Sequence, residues 1–316
     1  MSYTLVPMTE EHLQPAVELF IQGYQREQSR STLLPSRVVD EPVWIYAALQ
    51  SQLSNPGVAV FEQNHLVAYM VTSGQFLWKG QQAAIVHEYC HSAIAARKQE
   101  LYQRMYMYLA QAWVNLHCHL HLIGHFAHDT LLQETPFHLG FGAIVAERLR
   151  DHSPITDREN IAIRVEQDML KLIDIHMAHM HYYPQSPIFL SKPADRQEAL
   201  ADLEAHAARG DVFLVYYVQN QPCAYMIVGE STLEGEGFLL QQTNTAQIKA
   251  AYAQPDFRGK GIGTALLHRV IEWSQHQGYD RVFVEHETAN FFGGNFWSKY
   301  FTPYLYYSMR YIDNSL

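Results

Sequence analysis

Three glycines at alternate positions, Gly259, Gly261 and Gly263, follow an apolar run from Ile248 to Ala253 and a turn through Gln254-Pro255-Asp256-Phe257-Arg258. Lacking Cβ atoms, they let main-chain amides close on a ligand. The amphipathic stretch Ile262 to Gln277 reads as a helix. Its unpaired N–H groups and positive dipole end point at the same spot. That combination binds phosphate or diphosphate. Two other Gly-rich loops are excluded by spacing. The P-loop requires Gly, four residues and Gly-Lys-Ser/Thr, which the chain lacks. The dinucleotide fingerprint places its third glycine three residues after the second and continues into a βαβ unit. Here the interval from Gly261 to Gly263 is two, near the end of the sequence.

The elements around the loop are ordered. After the helix, Gly278 ends it and Arg281 to Glu287 reads as a strand. Asn290 opens a short helix carrying Phe296-Trp297-Ser298-Lys299-Tyr300, Pro303 breaks it, and Tyr304 to Ile312 alternates as closing strands. The pattern Arg258-x-x-Gly261-x-Gly263, after a strand ending Ala-Tyr-Ala-x-Pro, resembles the acyl-CoA loop of the GNAT superfamily of N-acyltransferases. The resemblance is specific over Ala246 to Ile312 and topological elsewhere. It implies acetyl-CoA as co-substrate, with its diphosphate on Arg258, Gly259, Lys260, Gly261, Ile262, Gly263 and Thr264. It also implies that Tyr252 and Ala253 offer main-chain groups to the pantetheine arm and thioester, and that Asn290 hydrogen-bonds near that arm.

At 316 residues two domains are expected. A 48% hydrophobic, 13% aromatic composition suffices for packed cores. Lys and Arg total 22 against 32 Asp and Glu, a net charge of −10, which argues against nucleic acid as partner and mildly favours a cationic substrate. Cys90, Cys118 and Cys223 are scattered in apolar contexts and read as small buried side chains. The N-terminus has no basic segment followed by an apolar core, and no apolar run approaches the ~20 residues of a membrane span. A cytoplasmic protein without a membrane partner, monomeric or homodimeric, is the expectation.

The chain repeats itself. Val60 to Val71 reads as two strands joined at Gln63-Asn64, and Val215 to Val228 repeats it around Gln219-Asn220. Ala68-Tyr69-Met70 recurs as Ala224-Tyr225-Met226, so both landmarks share an offset of 156 (219 − 63 and 225 − 69). Each hairpin follows an expected helix, Val43 to Leu53 or Gln197 to Ala208, and precedes a helix bearing Trp113 or Trp273. Each half then has a strand, Leu120 to Phe126 or Arg281 to Glu287, and a short helix. The repeat reads as two copies of one αβ unit, and the resemblance implies the fold class: α/β with a mixed α+β sheet, two tandem GNAT-like domains, each a mostly antiparallel sheet with a parallel splayed pair, flanked by helices. The halves meet near Asp151 to Asp157, around Pro154, giving domains of 1–153 and 154–316. Where the second half has its glycines, the first has Ser92-Ala93-Ile94-Ala95-Ala96-Arg97-Lys98-Gln99, so it reads as a degenerate copy without cofactor.

Acetyl transfer from a thioester to an amine needs a base for the amine proton, a donor for the oxyanion and a proton for the departing thiolate. Much of the rate can come from orientation, roughly 7–11 kcal/mol in favourable cases. The strand before the loop, Gln247 to Tyr252, has no carboxylate. Glu285 and Glu287 on the next strand, on one face by alternation with His286 on the other, are the candidate bases. The resemblance implies Asn, a small residue at +3 and an acidic Tyr at +7. Asn290 and Gly293 fit, but the +7 position is Trp297, whose indole N–H is no ordinary acid. Tyr300, one turn on, is the candidate substitute. His117, His119, His121, His125 and His128, and separately His176, His179 and His181, lack the flanking ligands of an obvious metal set and read as solvent-facing or hydrogen-bonded. Tyr24, Tyr182 and Tyr183 are candidates for lining an acceptor pocket. The sequence supports an N-acetyltransferase acting on a primary amine. A non-catalytic acyl-CoA-binding or regulatory protein is the alternative, motivated by Trp297 and the missing strand carboxylate.

Overall fold

A computed structural model describes residues 3–155, 161–192, 195–231 and 237–315. Their contacts divide the chain into Met1–Ala146 with Pro303–Leu316, and Glu147–Thr302. Positions 156 and 157 of the expected junction lie outside the described residues.

The first unit runs β1 (Thr4–Pro7), α1 (Leu13–Gln28), α2 (Arg37–Asp40), α3 (Pro42–Gln50), β2 (Gly57–Glu62), β3 (His65–Val71), β4 (Gly74–Trp78), β5 (Gln81–Val86), β6 (His91–Ala93), α4 (Lys98–Asn115), β7 (Leu120–Phe126) and α5 (Thr130–His138). Strand β8 (Gly142–Arg150) carries the chain into the second unit. There follow β9 (Arg164–Glu166), α6 (Ile173–Tyr182), α7 (Arg196–Ala208), β10 (Val212–Val218), β11 (Gln221–Glu230), β12 (Thr245–Ala253), α8 (Ile262–His276), β13 (Arg281–Glu287) and α9 (Phe291–Tyr300). A single strand, β14 (Thr302–Tyr311), closes the chain where the sequence suggests several, and it pairs antiparallel with β7. From Pro303 onward the chain therefore belongs to the first unit, whereas the sequence places it at the end of the second domain.

In the first unit β1, β2, β3 and β6 form an antiparallel sheet, and β5 lies between antiparallel β4 and parallel β7. In the second, β9 to β12 run antiparallel and β12 is parallel to β13. Alternation along β10 and β11 assigns the two faces of this sheet. Leu214, Ala224, Met226 and Val228 pack with Ile262, Leu266, Leu267, Val270 and Ile271 of α8. Phe213, Val215, Tyr225 and Ile227 pack with Ile173 and Ile175 of α6 and Ala199 and Leu203 of α7. Each fully buried aliphatic side chain contributes roughly 1.5–3 kcal/mol. The sheet is thus fixed between helices on both faces, a rigid base for whatever its edges present. No described helix is long and apolar enough to cross a membrane.

The repeat extends to backbone detail. Gln63 and Asn64 have φ of 48° and 66°, and Gln219 and Asn220 have 50° and 62°. Two successive left-handed residues form the type I′ turn suited to the twist of a hairpin. Each hairpin also carries a register shift at one corresponding place, Val60/Phe61 and Tyr216/Tyr217.

Candidate functional site

The parallel pair β12 and β13 stays in register only from Thr245–Arg281 to Ile248–Val284. On the other side of β12 a bulge between Ile227 and Val228 leaves Lys249 as the extra residue. Lys249 Nζ is anchored 3.1 Å from Asp211 Oδ1, whose side chain is buried. Beyond Ile248 and Val284 both strands continue, to Ala253 and Glu287, without pairing to each other. The wedge between them opens into a cavity of about 340 Å³ within the second unit. Its walls combine Tyr252, Ala253 and Arg258 with Glu285, His286 and Glu287, and aromatic rings from α6 and α9.

The glycine loop forms one end of that cavity. Gly259 and Gly261 hold φ of 70° and 75°, a left-handed conformation that only glycine adopts without strain, and Gly261 is the N-cap of α8. Ala265 N–H is the first helical donor with an acceptor, the Gly261 carbonyl. Among the described residues, the amides of 259–264 have no acceptor within the protein. Gly263 faces Phe296 so closely that a Cβ there would lie 3.2 Å from the ring. Gly259, Lys260, Gly261, Ile262, Gly263 and Thr264 thus present a row of six free amides at a helix N-terminus, a donor set that fits a diphosphate. Arg258 stands beside it, with Nε donating to the Ala253 carbonyl at 2.9 Å and its guanidinium 5.0 Å from the centroids of both Tyr182 and Phe292. The Ala253 carbonyl, expected to serve the pantetheine arm, is thus engaged by Arg258.

Asn290 caps α9. Its Oδ1 accepts from Gly293 N–H at 3.0 Å and from the Tyr182 hydroxyl at 3.0 Å. No described residue accepts from Nδ2, which remains to donate at the cavity wall. Glu285 and Glu287 both line the cavity, and burial raises the Glu287 carboxyl above the ordinary range, against the pull of the Lys192 charge. His286, expected on the opposite face, is buried and also borders the cavity. Arg148 Nε donates to its Nε2 at 3.0 Å while its Nδ1 meets the Glu287 carbonyl, and burial lowers its pKa. Trp297 lines the cavity and belongs to the core packed on α8. Tyr300 is not among the lining residues. Its hydroxyl lies 3.0 Å from Thr264 Oγ1, which does line the cavity, so it supports the cradle's last residue.

Tyr182 and Tyr183 line this cavity, whereas Tyr24 is buried in the first unit, bonded to the Pro35 carbonyl. His176 and His179, which the sequence reads as solvent-facing or hydrogen-bonded, are hydrogen-bonded and buried on α6; their place at the cavity, which His179 borders, is what the sequence reading lacks. Their i, i+3 spacing on a helix facing the sheet was the available signal. In the first unit His121 and His125 are likewise buried, bonded to Tyr106 and Ser308. Cys90, Cys118 and Cys223 are free and buried, as the apolar contexts indicate.

Residues 174–301 match the Acetyltransferase (GNAT) family. Among curated proteins, Streptothricin acetyltransferase A of Bacillus subtilis is 29% identical over 112 residues, 35% of this chain and 59% of that protein. An uncharacterized N-acetyltransferase of Methanocaldococcus jannaschii is 31% identical over 68 residues, 22% of this chain and 28% of its own length. The chain therefore spans less than two thirds of either relative. Of solved structures, a GCN5-related N-acetyltransferase from Sphaerobacter thermophilus superposes with a TM-score of 0.57 at 11% identity, covering 98% of this chain and 95% of that one. A tandem GNAT protein from the clavulanic acid biosynthesis pathway superposes with a TM-score of 0.52 at 11% identity, covering 98% of both chains. The fold is that of GNAT proteins along nearly the whole chain, and residues 174–301 are the part that matches the GNAT acetyltransferase family.

Proposed function

We propose that this GNAT acetyltransferase domain moves the acetyl group of acetyl-CoA directly onto a primary amine of a small molecule or peptide, releasing the free thiol. The observation that carries the proposal is the coincidence of two features in one cavity. Six free amides of residues 259–264 lie at one end, and a half-buried carboxylate with a raised pKa, Glu287, lies among its walls. Arg258 and Lys260 add positive charge for the diphosphate, and Asn290 Nδ2 offers a donor along the arm. The unpaired edge of β12 at Tyr252 supplies main-chain groups beside the thioester. Glu287 takes the proton that the ammonium form of the acceptor must lose before attack, with Glu285 alongside to hold the cation. A carboxyl whose pKa is raised by burial is a stronger base than a solvated one once it is ionised. The name of the Bacillus subtilis relative, a streptothricin acetyltransferase, favours a small molecule as acceptor. The first unit is read as a copy that keeps the fold without the cofactor.

The second reading, acyl-CoA binding without catalysis, draws on Trp297 standing where the family places an acidic tyrosine, with Tyr300 turned to Thr264. A thiol-release assay with acetyl-CoA and a panel of amines separates the two. Amine-dependent thiol release that falls in Glu287→Gln supports transfer. Saturable acetyl-CoA binding with no turnover on any amine supports the second reading.

A further inference from the structure

Helix α6 places His176 and His179 one turn apart on the face that packs on β11. Their exposures are 3% and 9%, and both Nδ1 atoms converge on one hydroxyl, Tyr225, at 2.6 and 2.8 Å. Burial holds Tyr225 well above the usual phenol range, so it keeps its proton. A hydroxyl with one hydrogen donates to one of these rings and accepts from the other. Asp202 breaks the tie. Its Oδ2 lies 2.8 Å from His176 Nε2, and that hydrogen bond keeps the carboxyl below its ordinary range against the effect of burial. A carboxylate only accepts, so His176 carries its hydrogen on Nε2. A single hydrogen on His176, held at Nε2 by Asp202, leaves its Nδ1 bare to accept from Tyr225. The Tyr225 oxygen then accepts from Nδ1–H of His179. His179 is left with a bare Nε2.

That nitrogen belongs to a cavity-lining ring. His179 stacks on Tyr252 with centroids 5.2 Å apart and planes at 25°, and Tyr183 lies 5.3 Å away. No described residue hydrogen-bonds to its Nε2. Burial above all, with the Lys192 and Arg258 charges acting in the same direction, holds the ring neutral, with a pKa of about 3. A neutral imidazole stacked on Tyr252 therefore carries a bare lone pair on a ring that lines the cavity.

We infer that His179 is a further catalytic residue, a proton shuttle between the attacking amine and the departing thiolate, with Tyr225, His176 and Asp202 as positioning residues that fix its tautomer. The inference rests on the acetyl-transfer reading of this cavity. The steps balance as follows. The neutral amine's lone pair forms the C–N bond to the thioester carbonyl carbon. One N–H bond breaks as Nε2–H forms, at the stage when C–N bond formation has made the nitrogen acidic. The C–S bond breaks with its electron pair on sulfur, and the proton passes from Nε2 to that sulfur. His179 returns to its starting tautomer, leaving amide and thiol. Glu287 handles the earlier proton of the ammonium form.

Two measurements on the full chain at pH 8 test this. Long-range ¹H–¹⁵N spectra of histidine-labelled protein report which nitrogen of His179 carries hydrogen. Nδ1–H is expected, with loss of that single tautomer in Tyr225→Phe and Asp202→Asn. Kinetically, His179→Ala should lower kcat by about 10²-fold or more with KM for acetyl-CoA nearly unchanged. Tyr225→Phe, which keeps the ring packing, should lower kcat by about tenfold, and Asp202→Glu should restore more activity than Asp202→Asn. A wild-type His179 protonated on Nε2, or a folded His179→Ala that keeps its kcat, overturns the inference. Wild type that releases no thiol with any amine instead overturns the acetyl-transfer reading, and the tautomer spectrum still stands on its own.

Discussion

Helices α4 and α8 start on the same backbone turn, each with a left-handed N-cap, yet their surroundings differ. At α8 the residue is Gly261 with φ of 75°, at α4 it is Arg97 with φ of 61°. Arg97 turns its side chain to the Tyr3 hydroxyl and Glu62. The next helices differ in the same sense. Neutral Asn290 caps α9, whereas Asp129 caps α5, accepting from Leu132 N–H at 3.1 Å, and pairs with Lys98, the first residue of α4. The first unit's cavity, about 210 Å³, carries the carboxylates of Glu27, Glu88 and Asp129 on its walls. Arg26, Arg30 and Lys98 also border it, and Lys98 at the start of α4 is already paired with Asp129. The turn itself tolerates a side chain at a cost of about 1–2 kcal/mol in the left-handed region. The fold tolerates the side chain, and the two copies differ at the turn that the proposed function assigns to the cofactor.

The largest expected break in the comparison comes from Gly261→Val. A β-branched residue at φ of 75° is strained, and the turn must shift its amides. Acetyl-CoA affinity measured by calorimetry should fall by about 100-fold or more, equal to about 2.7 kcal/mol, while circular dichroism shows the fold retained. Next is Glu287→Gln, expected to lower kcat by about 10²-fold. Wild-type kcat/KM should rise with pH on the acid side along a limb displaced above the ordinary glutamate range, because the base works ionised and burial raises its pKa. The variant should lose that limb. The stability sign runs the other way. A carboxyl with a raised folded pKa adds stability at low pH and loses it as pH climbs through that pKa, so Glu287→Gln should melt no lower than wild type at neutral pH.

Lys249→Met sharpens the role of the bulge. Asp211 keeps His206 at 2.7 Å and Arg209 at 3.5 Å but loses its lysine, which should cost about 1–3 kcal/mol in denaturant unfolding. The smallest effect is expected from Arg97→Gly in the first unit. It relieves a left-handed arginine and should shift the thermal midpoint by less than about 4 °C. It should create no second acetyl-CoA site, because the Lys98–Asp129 pair remains. A second site appearing in that variant would show that glycine alone separates the copies.

Much of this was legible in the residues. The Gly259–Gly263 spacing marked the left-handed turn at the start of α8 because a left-handed N-cap is a local backbone property. The Gln-Asn turns revealed the repeat because two successive left-handed residues are a local demand too. The strand Arg281 to Glu287 and the helix starting at Ile262 lie where periodicity put them. The partner of the last strand was not legible. The residues from Tyr304 onward alternate like any closing strand, and pairing with β7 depends on sequence-distant contacts. The histidine relay escaped for the same reason. Tyr225 and Asp202 lie 49 and 26 residues from His176, and only the folded sheet joins them. Alternation separated His286 from the glutamates, but where β13 leaves its partner all three residues reach the cavity.

The most direct test is a crystal structure with coenzyme A bound at saturating concentration. The expected density places the diphosphate on the amides of residues 259–264, with the arm running between β12 and β13 and no ligand at the start of α4. A diphosphate seated at Lys98 in the first unit, or anywhere away from the α8 N-terminus, contradicts the assignment of the cradle.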